Sequence, residues 1–556
     1  MKITSALFAS VMAFAAPATA NTTGNSAPIE TARLADTVQI LASDAFEGRA
    51  PGTAGEDKTV AWLIEHYTAL GLEPGGENGG WTQTVPLIRT RLGAPSRLAV
   101  THGKGSMALV QNESIYLRTP RAVDRAAITQ AEMVFVGYGV DAPERQWDDF
   151  KGVDLHGKIA VFLVNDPDFE AIAGEPVKGK FGDQAMTYYG RWTYKFEEAA
   201  RRGAIGALIV HDTPSAGYGW STVIAGGGEN YDIVRPASEP QRVMLQGWIE
   251  GKAAVDLFTA AGQDLAALRI KARRADFKPI ALKDLRFDAD FPVTMERIES
   301  RNVLAKLTGT KYPDETIMFG AHWDAYGVGA ADADGRTVRA GANDDALGLA
   351  GVIELARIFA AAPRTERTLV FAAWTAEEAG LLGSETYGVT PLYPLEKTVA
   401  NLTLDILQTA GLARDVVLVG KGQNALEVDL AKAAALQGRI VTAETLPERG
   451  LFYRADHFSL ARRGVPVLLL MGISGGADLV EGGRAAGDKW VSDYTANCYH
   501  KPCDRYDASW NLAGAAQDIA LFHTIGADLA NSRRWPDWNA ASEFRAIRVE
   551  SAKARQ

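Results

Sequence analysis

The chain has 556 residues, more than one hydrophobic core ordinarily organises, so two or more domains are expected. Its 58 Lys and Arg against 68 Asp and Glu leave a formal net charge of −10, which argues against nucleic acid or an anionic membrane as the main partner. Two cysteines, Cys498 and Cys503, exclude a disulfide scaffold and a cysteine-built zinc module, so a metal site must draw on His, Asp and Glu.

In chain order, Lys2, the small and apolar stretch Ala6 to Ala16, and Ala18-Thr19-Ala20 read as an export leader over 1–20, cleaved after Ala20. That stretch is too short to span a bilayer, and no other approaches the ~18 apolar residues of a transmembrane segment. A periplasmic or secreted protein is expected. In an oxidising compartment Cys498 and Cys503, five residues apart, would close a small disulfide loop. Residues 21–55 are polar and rich in small residues. Glu56 to Leu70 puts Val60, Leu63, Ile64, Tyr67 and Leu70 on one helical face, and Gly71 ends it. Met133 to Val140, Lys158 to Val164 and Ile205 to Val210 read as strands, and Phe196 to Gly203 as a helix. Ala225-Gly226-Gly227-Gly228 is a loop. A second module is thus expected over 131–290, between an N-terminal part at 21–130 and a core at 291–535.

The last region alternates more regularly. Thr316 to Ala321, Thr368 to Trp374, Asn401 to Ile406, Asp415 to Val419 and Val465 to Met471 read as strands. Leu347 to Ala361, Ala425 to Leu436 and Leu512 to Leu529 read as helices. This rhythm predicts an α/β fold, a mostly parallel mixed sheet sandwiched by helices, with catalytic groups at the carboxyl ends of strands. Residues 536–556 are expected to form a loose polar tail.

Chemistry-bearing residues collect at those strand ends. His322 follows the strand Thr316 to Ala321, with Asp324 two residues on as a partner for the ring's other nitrogen. Asp344 and Asp345 open the helix at Leu347, where capping competes with metal ligation. Glu377 and Glu378 follow a buried strand, where a carboxylate needs a partner or a metal. One can bind metal while the other faces a bound water, the division that metal-assisted hydrolysis requires. Asp405 ends an apolar strand, and His500 lies between the two cysteines. Oxygen and imidazole donors suit zinc, with manganese or cobalt as substitutes. Two ions, roughly 3.5–4 Å apart, would need a bridging carboxylate, for which Asp344 is the natural candidate.

The motif order resembles the co-catalytic dizinc aminopeptidases of metallopeptidase family 28, the superfamily of glutamate carboxypeptidase II. The residues that carry it are His322-x-Asp324, Gly341-Ala342-Asn343-Asp344-Asp345-Ala346, Glu377-Glu378-Ala379-Gly380-Leu381-Leu382-Gly383-Ser384, Leu404-Asp405 and Tyr499-His500-x-Pro502-x-Asp504. Leu41-Ala42-Ser43-Asp44, Gly48-Arg49 and Gly52-Thr53-Ala54-Gly55 look like the family's N-terminal segment. Val136-Gly137-Tyr138-Gly139 and Gly190-Arg191-Trp192-Thr193-Tyr194 look like its inserted, β-rich protease-associated domain. The resemblance implies a zinc aminopeptidase core of the phosphorylase/hydrolase-like kind and two zinc ions. His322, Asp344 and Asp405 would hold one ion, and Asp344, Glu378 and His500 the other. Glu377 would be the general base that deprotonates a metal-bound water, and Asp324 would orient His322. It also implies a cis peptide at Asp344–Asp345. The sequence departs from the family's usual pattern at Leu347, where Ser is commoner, and in its Cys498/Cys503 pair. Arg454-Ala455-Asp456-His457-Phe458 resembles a segment near the substrate, and Tyr453 beside it is a candidate oxyanion donor. The loops 323–335 and 453–475 are expected to line the specificity pocket. The insertion is expected to cover the cleft, with His156 and His211 structural.

The expected activity is hydrolysis of the N-terminal bond of peptide substrates. A carboxypeptidase or N-acyl amide hydrolase is the alternative, with Arg336, Arg339 and Arg454 as its candidate arginines. An inactive binding protein would lack the ligands present here. Oligomeric state is not legible.

Overall fold

The computed structural model describes residues 28–555 except Lys104 and Ser238; the expected leader lies outside the described residues. Four strands run parallel, in the spatial order Val467–Leu470, Thr398–Leu404, Tyr312–His322 and Arg367–Trp374. Arg367–Trp374 is buried along its whole length, as a strand covered on both faces must be. The alternation of side chains sorts them between two cores. Ile317, Phe319 and Ala321, with Leu369, Phe371 and Ala373, face the helices Leu347–Ala361 and Ala513–Ala530. Met318, Val370, Ala372 and Trp374 face Tyr387 of the helix Leu382–Val389 and Phe458 and Leu460 of His457–Ala461. Phe319 and Phe371 stack with centroids 5.5 Å apart. Each such side chain contributes about 1.5–3 kcal/mol by leaving water.

The 28-residue strand Ile280–Leu307 joins this sheet to a second one. Its C-terminal end pairs antiparallel with Arg367–Trp374 and with Thr82–Leu92. Its N-terminal end pairs with Arg97–His102 and Arg125–Phe135. Beyond it Arg125–Phe135, Ile159–Leu163, Gly206–Val210 and Leu245–Ile249 run parallel, and Ile115–Arg118 closes the edge antiparallel. Helix Trp192–Arg201 covers one face, through Phe196 on Ala160, Phe162 and Ile209. Helices Gly251–Ala260 and Leu265–Ala272 cover the other, through Leu257, Phe258 and Leu268 on Phe135, Val161 and Leu208. The second body therefore takes in strands from Arg97 onward.

Three local expectations need correction. Asp415–Leu418 is a strand but pairs only with Ile440–Ala443, outside the main sheet. Strand Arg125–Phe135 stops before Val136, because Gly137 and Gly139 take φ of 62° and 61° in a turn. The described part of the expected tail, 536–555, is not loose. Trp538, Phe544 and Arg548 are buried, the indole of Trp538 donates to the Gly464 carbonyl at 2.9 Å, and Arg548 donates to the Thr398 carbonyl at 3.0 Å. Its few apolar anchors lie among charged neighbours, so its composition hides its packing.

Candidate metal centre

Every expected ligand lies at the carboxyl edge of the parallel strands. His322 is the last residue of Tyr312–His322, and Asp405 follows Thr398–Leu404. Glu377 and Glu378 follow Arg367–Trp374 after a turn in which Ala376 takes φ of 52°. Asp344 precedes helix Leu347–Ala361, and its peptide to Asp345 is cis. His500 is in the loop closed by the Cys498–Cys503 disulfide and has φ of 61°.

Asp344 offers one carboxylate oxygen to each of two imidazoles. Its Oδ1 is 3.1 Å from Nε2 of His322, and its Oδ2 is 3.2 Å from Nε2 of His500. His500 Nε2 is also 3.3 Å from Oε2 of Glu378. His322, Asp344 and Asp405 form one trio, and Asp344, Glu378 and His500 a second; within each the donor atoms lie within 4.8 Å of one another. Glu377 Oε2 is 4.0 Å from His322 Nε2 and belongs to neither trio.

The supports explain why these residues meet. Asp324 places its backbone carbonyl 3.1 Å from Nδ1 of His322 and its carboxylate 3.5 Å away. That carboxylate also accepts the amides of Glu377 at 3.0 Å and Glu378 at 3.4 Å, tying two strand ends together. Asp345 points away from the trios and accepts the amides of His322, Gly348 and Ile406. Asp504 accepts the amides of Asn343 at 3.0 Å and Asp344 at 3.1 Å. Arg49, fully buried, donates to the carbonyls of Leu41, Trp323, Ala340 and Gly341. The supporting roles of Asp345, Asp504 and Arg49 were not read from sequence, although all three lie inside recognised motifs.

The electrostatics call for cations. Burial and then the charge of Asp344 push Asp405 up to about 8. Burial also holds Glu377 and Glu378 well above the usual carboxylate range, with neighbouring carboxylates adding to it. Burial opposes ionisation of Asp344 as well, but hydrogen bonds from His322 and His500 overcome it and hold Asp344 low. Oε1 of Glu378 is buried with no hydrogen-bond partner among the described residues. Buried carboxylates packed this closely are stable when paired with positive charge. Two imidazoles and three carboxylates arranged as two trios with a shared carboxylate fit divalent zinc.

A cavity of about 340 Å³ opens onto Asp344, Glu377, Glu378, Asp405 and His500. The 453–475 loop lines it through Arg454, Phe458 and Met471, but of 323–335 only Tyr326 does. The far wall comes from the second body, with Arg118, Arg191, Trp192 and Glu197. Tyr453 lines the cavity but donates its hydroxyl to Glu543 at 3.1 Å, so that hydroxyl is not free for a substrate oxygen. Arg336 is paired with Asp334 at 2.9 Å, and neither it nor Arg339 reaches the cavity. His211 contacts the Tyr218 carbonyl and is packed against Trp220 and Trp248, a structural setting. Arg118, the last residue of strand Ile115–Arg118, and Arg191, inside the Gly190–Tyr194 motif, were given no role from sequence, because a single arginine carries no signal of what it faces.

Residues 302–524 match the model of peptidase family M28. A "Probable zinc metalloprotease" of Pyrenophora teres f. teres (strain 0-1) is 36% identical over 117 residues, covering 21% of this chain and 23% of that protein. A "Probable glutamate carboxypeptidase AMP1" of Arabidopsis thaliana is 22% identical over 389 residues, covering 63% of this chain and 47% of that protein. The chain thus spans less than half the length of either of these curated relatives. Among solved structures, the aminopeptidase from Aneurinibacillus sp. strain AM-1 is 21% identical, with a TM-score of 0.48 over 91% of this chain and 95% of that one. The match covers the expected ligands and their supporting strands, and makes the segment 302–524 similar to peptidase family M28.

Proposed function

We propose that this chain is an exported zinc-dependent aminopeptidase that holds two ions and cleaves the N-terminal bond of peptides. The observation that carries the proposal is Asp344, which faces His322 with one oxygen and His500 with the other. His322, Asp344 and Asp405 would hold one zinc ion, and Asp344, Glu378 and His500 the second. When bound, such ions supply Lewis-acid polarisation and lower the pKa of water. The protein's own part is proton handling and placement. Glu377, outside both trios and fixed through its amide by Asp324, takes a proton from water at its carboxylate and returns it to the leaving amine. Residues of both bodies line the cavity around it. The second body is read as the family's protease-associated insertion, a reading supported by its place on the cavity's far wall. Export is supported by the leader pattern and by the Cys498–Cys503 disulfide. A carboxypeptidase is the second reading, favoured by Arg454 at the cavity wall.

The test is zinc content and hydrolysis of free-amine and N-blocked peptide panels, with and without chelator. Two zinc ions per chain and chelator-sensitive release of N-terminal residues are expected. Glu377→Gln should keep its zinc and lose about 10²–10⁴ in kcat. Near-wild-type turnover in that variant overturns the base assignment, and chelator-indifferent activity overturns the metallopeptidase. Cleavage of N-blocked peptides from the other end selects the carboxypeptidase. N-terminal sequencing of the exported protein should begin at Asn21.

A further inference from the structure

We infer that Tyr326 is the positioning residue for His500. Its phenol oxygen accepts the Nδ1–H of that imidazole, turns Nε2 toward Asp344 and Glu378 and, being neutral, leaves the His500 trio the weaker and more readily exchanged of the two. The inference rests on the two-trio reading above. Nε2 is the metal-facing nitrogen of His500, 3.2 Å from Oδ2 of Asp344 and 3.3 Å from Oε2 of Glu378. A neutral imidazole that ligates through Nε2 carries its proton on Nδ1, and that proton needs an acceptor. The Tyr326 hydroxyl lies 2.8 Å from Nδ1, the only hydrogen bond to that nitrogen among the described residues. The two rings also pack together, with centroids 4.8 Å apart.

His500 needs such a partner more than His322 does. Its side chain is 33% exposed, against 1% for His322. It belongs to no strand, and only the small loop closed by Cys498–Cys503 carries it. Tyr326, by contrast, is held on both sides. The Ala325 amide donates to the Arg49 carbonyl at 3.4 Å, and Gly327 pairs with Arg339 in a short antiparallel ladder. Trp323 is buried, and its indole donates to the Arg301 carbonyl at 3.0 Å. The stretch from His322 to Tyr326 therefore serves both imidazoles. Asp324 faces Nδ1 of His322 with a carbonyl at 3.1 Å and a carboxylate at 3.5 Å, whereas Tyr326 faces Nδ1 of His500 with a phenol. A carboxylate raises the basicity of the imidazole it meets and so tightens metal binding; a neutral phenol does so less.

Tyr326→Phe keeps the ring and removes only the oxygen. The metal-free full chain would be titrated with zinc in competition with a chromophoric chelator. The wild type should bind two ions in two unequal steps, and His500→Ala should lose the weaker step and keep the tighter. Tyr326→Phe should weaken the looser step about 10- to 100-fold and leave the tighter within about threefold. Tyr326→Gln, which restores an acceptor, should recover part of that loss. Proton NMR of the cobalt-loaded chain gives a second readout, since the N–H protons of ligating imidazoles shift clear of the other resonances. One of these should broaden by exchange with water in Tyr326→Phe and the other stay sharp. An unchanged looser step and resonance in Tyr326→Phe overturn the positioning role, as does equal weakening of both steps. Equal affinities in the wild type, or loss of the tighter step in His500→Ala, overturn the ranking of the trios. A wild type that binds no zinc overturns the two-trio reading and the inference with it.

Discussion

Replacing Arg49 with Met should loosen the metal centre from the side opposite the substrate. Arg49 is fully buried and belongs to the N-terminal segment, far in sequence from the ligands it supports. Its Nε donates to the Trp323 carbonyl at 2.7 Å, next to His322. Its Nη atoms donate to Leu41 and Ala340 at 2.7 Å and to Gly341 at 2.9 Å, three residues before Asp344. Four bonds from a charged donor, at about 1.5 kcal/mol each, amount to about 6 kcal/mol. Against them stands burial of the guanidinium, which lowers Arg49 from 12.5 to about 10 despite Asp324, Asp504, Asp345 and Asp344. At about 1.36 kcal/mol per pH unit, that burial costs about 3 kcal/mol, and it vanishes with the charge. The expected net loss for Arg49→Met is about 3 kcal/mol. Urea unfolding followed by tryptophan fluorescence reads the stability, and competition with a chromophoric chelator reads zinc affinity. Zinc should bind roughly 10- to 100-fold more weakly, as when a residue orienting the ligands is lost. Arg49→Lys, which keeps the charge but not the fork, should fall between the two. A change below about 0.5 kcal/mol with unaltered zinc affinity would refute the reasoning, because four buried carbonyls would then not need this donor.

Asp344→Asn should weaken both zinc ions, whereas Asp405→Asn should weaken one, because only Asp344 belongs to both trios; equal zinc stoichiometry in the two variants would contradict the bridge. Glu197 reports on the contact between the bodies: burial raises it, but Arg462 and Arg242 overcome burial and hold it at about 2, against an ordinary 4.5. Its folded pKa is depressed, so its contribution of about 3 kcal/mol is present above pH 4.5 and lost as pH falls toward 2. The stability gap between wild type and Glu197→Gln should accordingly be full at neutral pH and close by about pH 2 in acid-unfolding curves. Replacing Cys498 and Cys503 together with Ser frees the loop that carries His500. One zinc ion should then bind about 10- to 100-fold more weakly while the other is retained, measured by titration of metal-free protein.

Three of the five expected ligands were legible because each is a donor at or just after the end of an apolar strand, where chemistry is the main reason to keep a polar group. His322, Glu378 and Asp405 are of this kind. The helices and parallel strands were legible from burial, since Arg367–Trp374 and Leu347–Ala361 are apolar almost throughout. The strand Ile280–Leu307 was not, because its middle carries charges on exposed faces between two bodies and breaks the apolar pattern. The 536–556 segment was misjudged for a related reason, with Trp538, Phe544 and Arg548 buried among polar neighbours.

The sequence by itself determined the chemistry: which donors are available, their order along the chain, and which strands end in them. Local patterns suffice there, because burial of an apolar strand and the need for a partner at its charged end both act within a few residues. The resemblance names Asp344 rather than Asp345 as the bridge, but only the tertiary structure shows what each of the two carboxylates touches. Asp344 and Asp345 are adjacent and chemically alike, yet one faces two imidazoles and the other three backbone amides. It likewise decided that Arg118 and Arg191, more than a hundred residues before any ligand, stand over the same cavity without a carboxylate of their own. An ion pair's presence or absence depends on distances across the fold, and no stretch of sequence carries those distances.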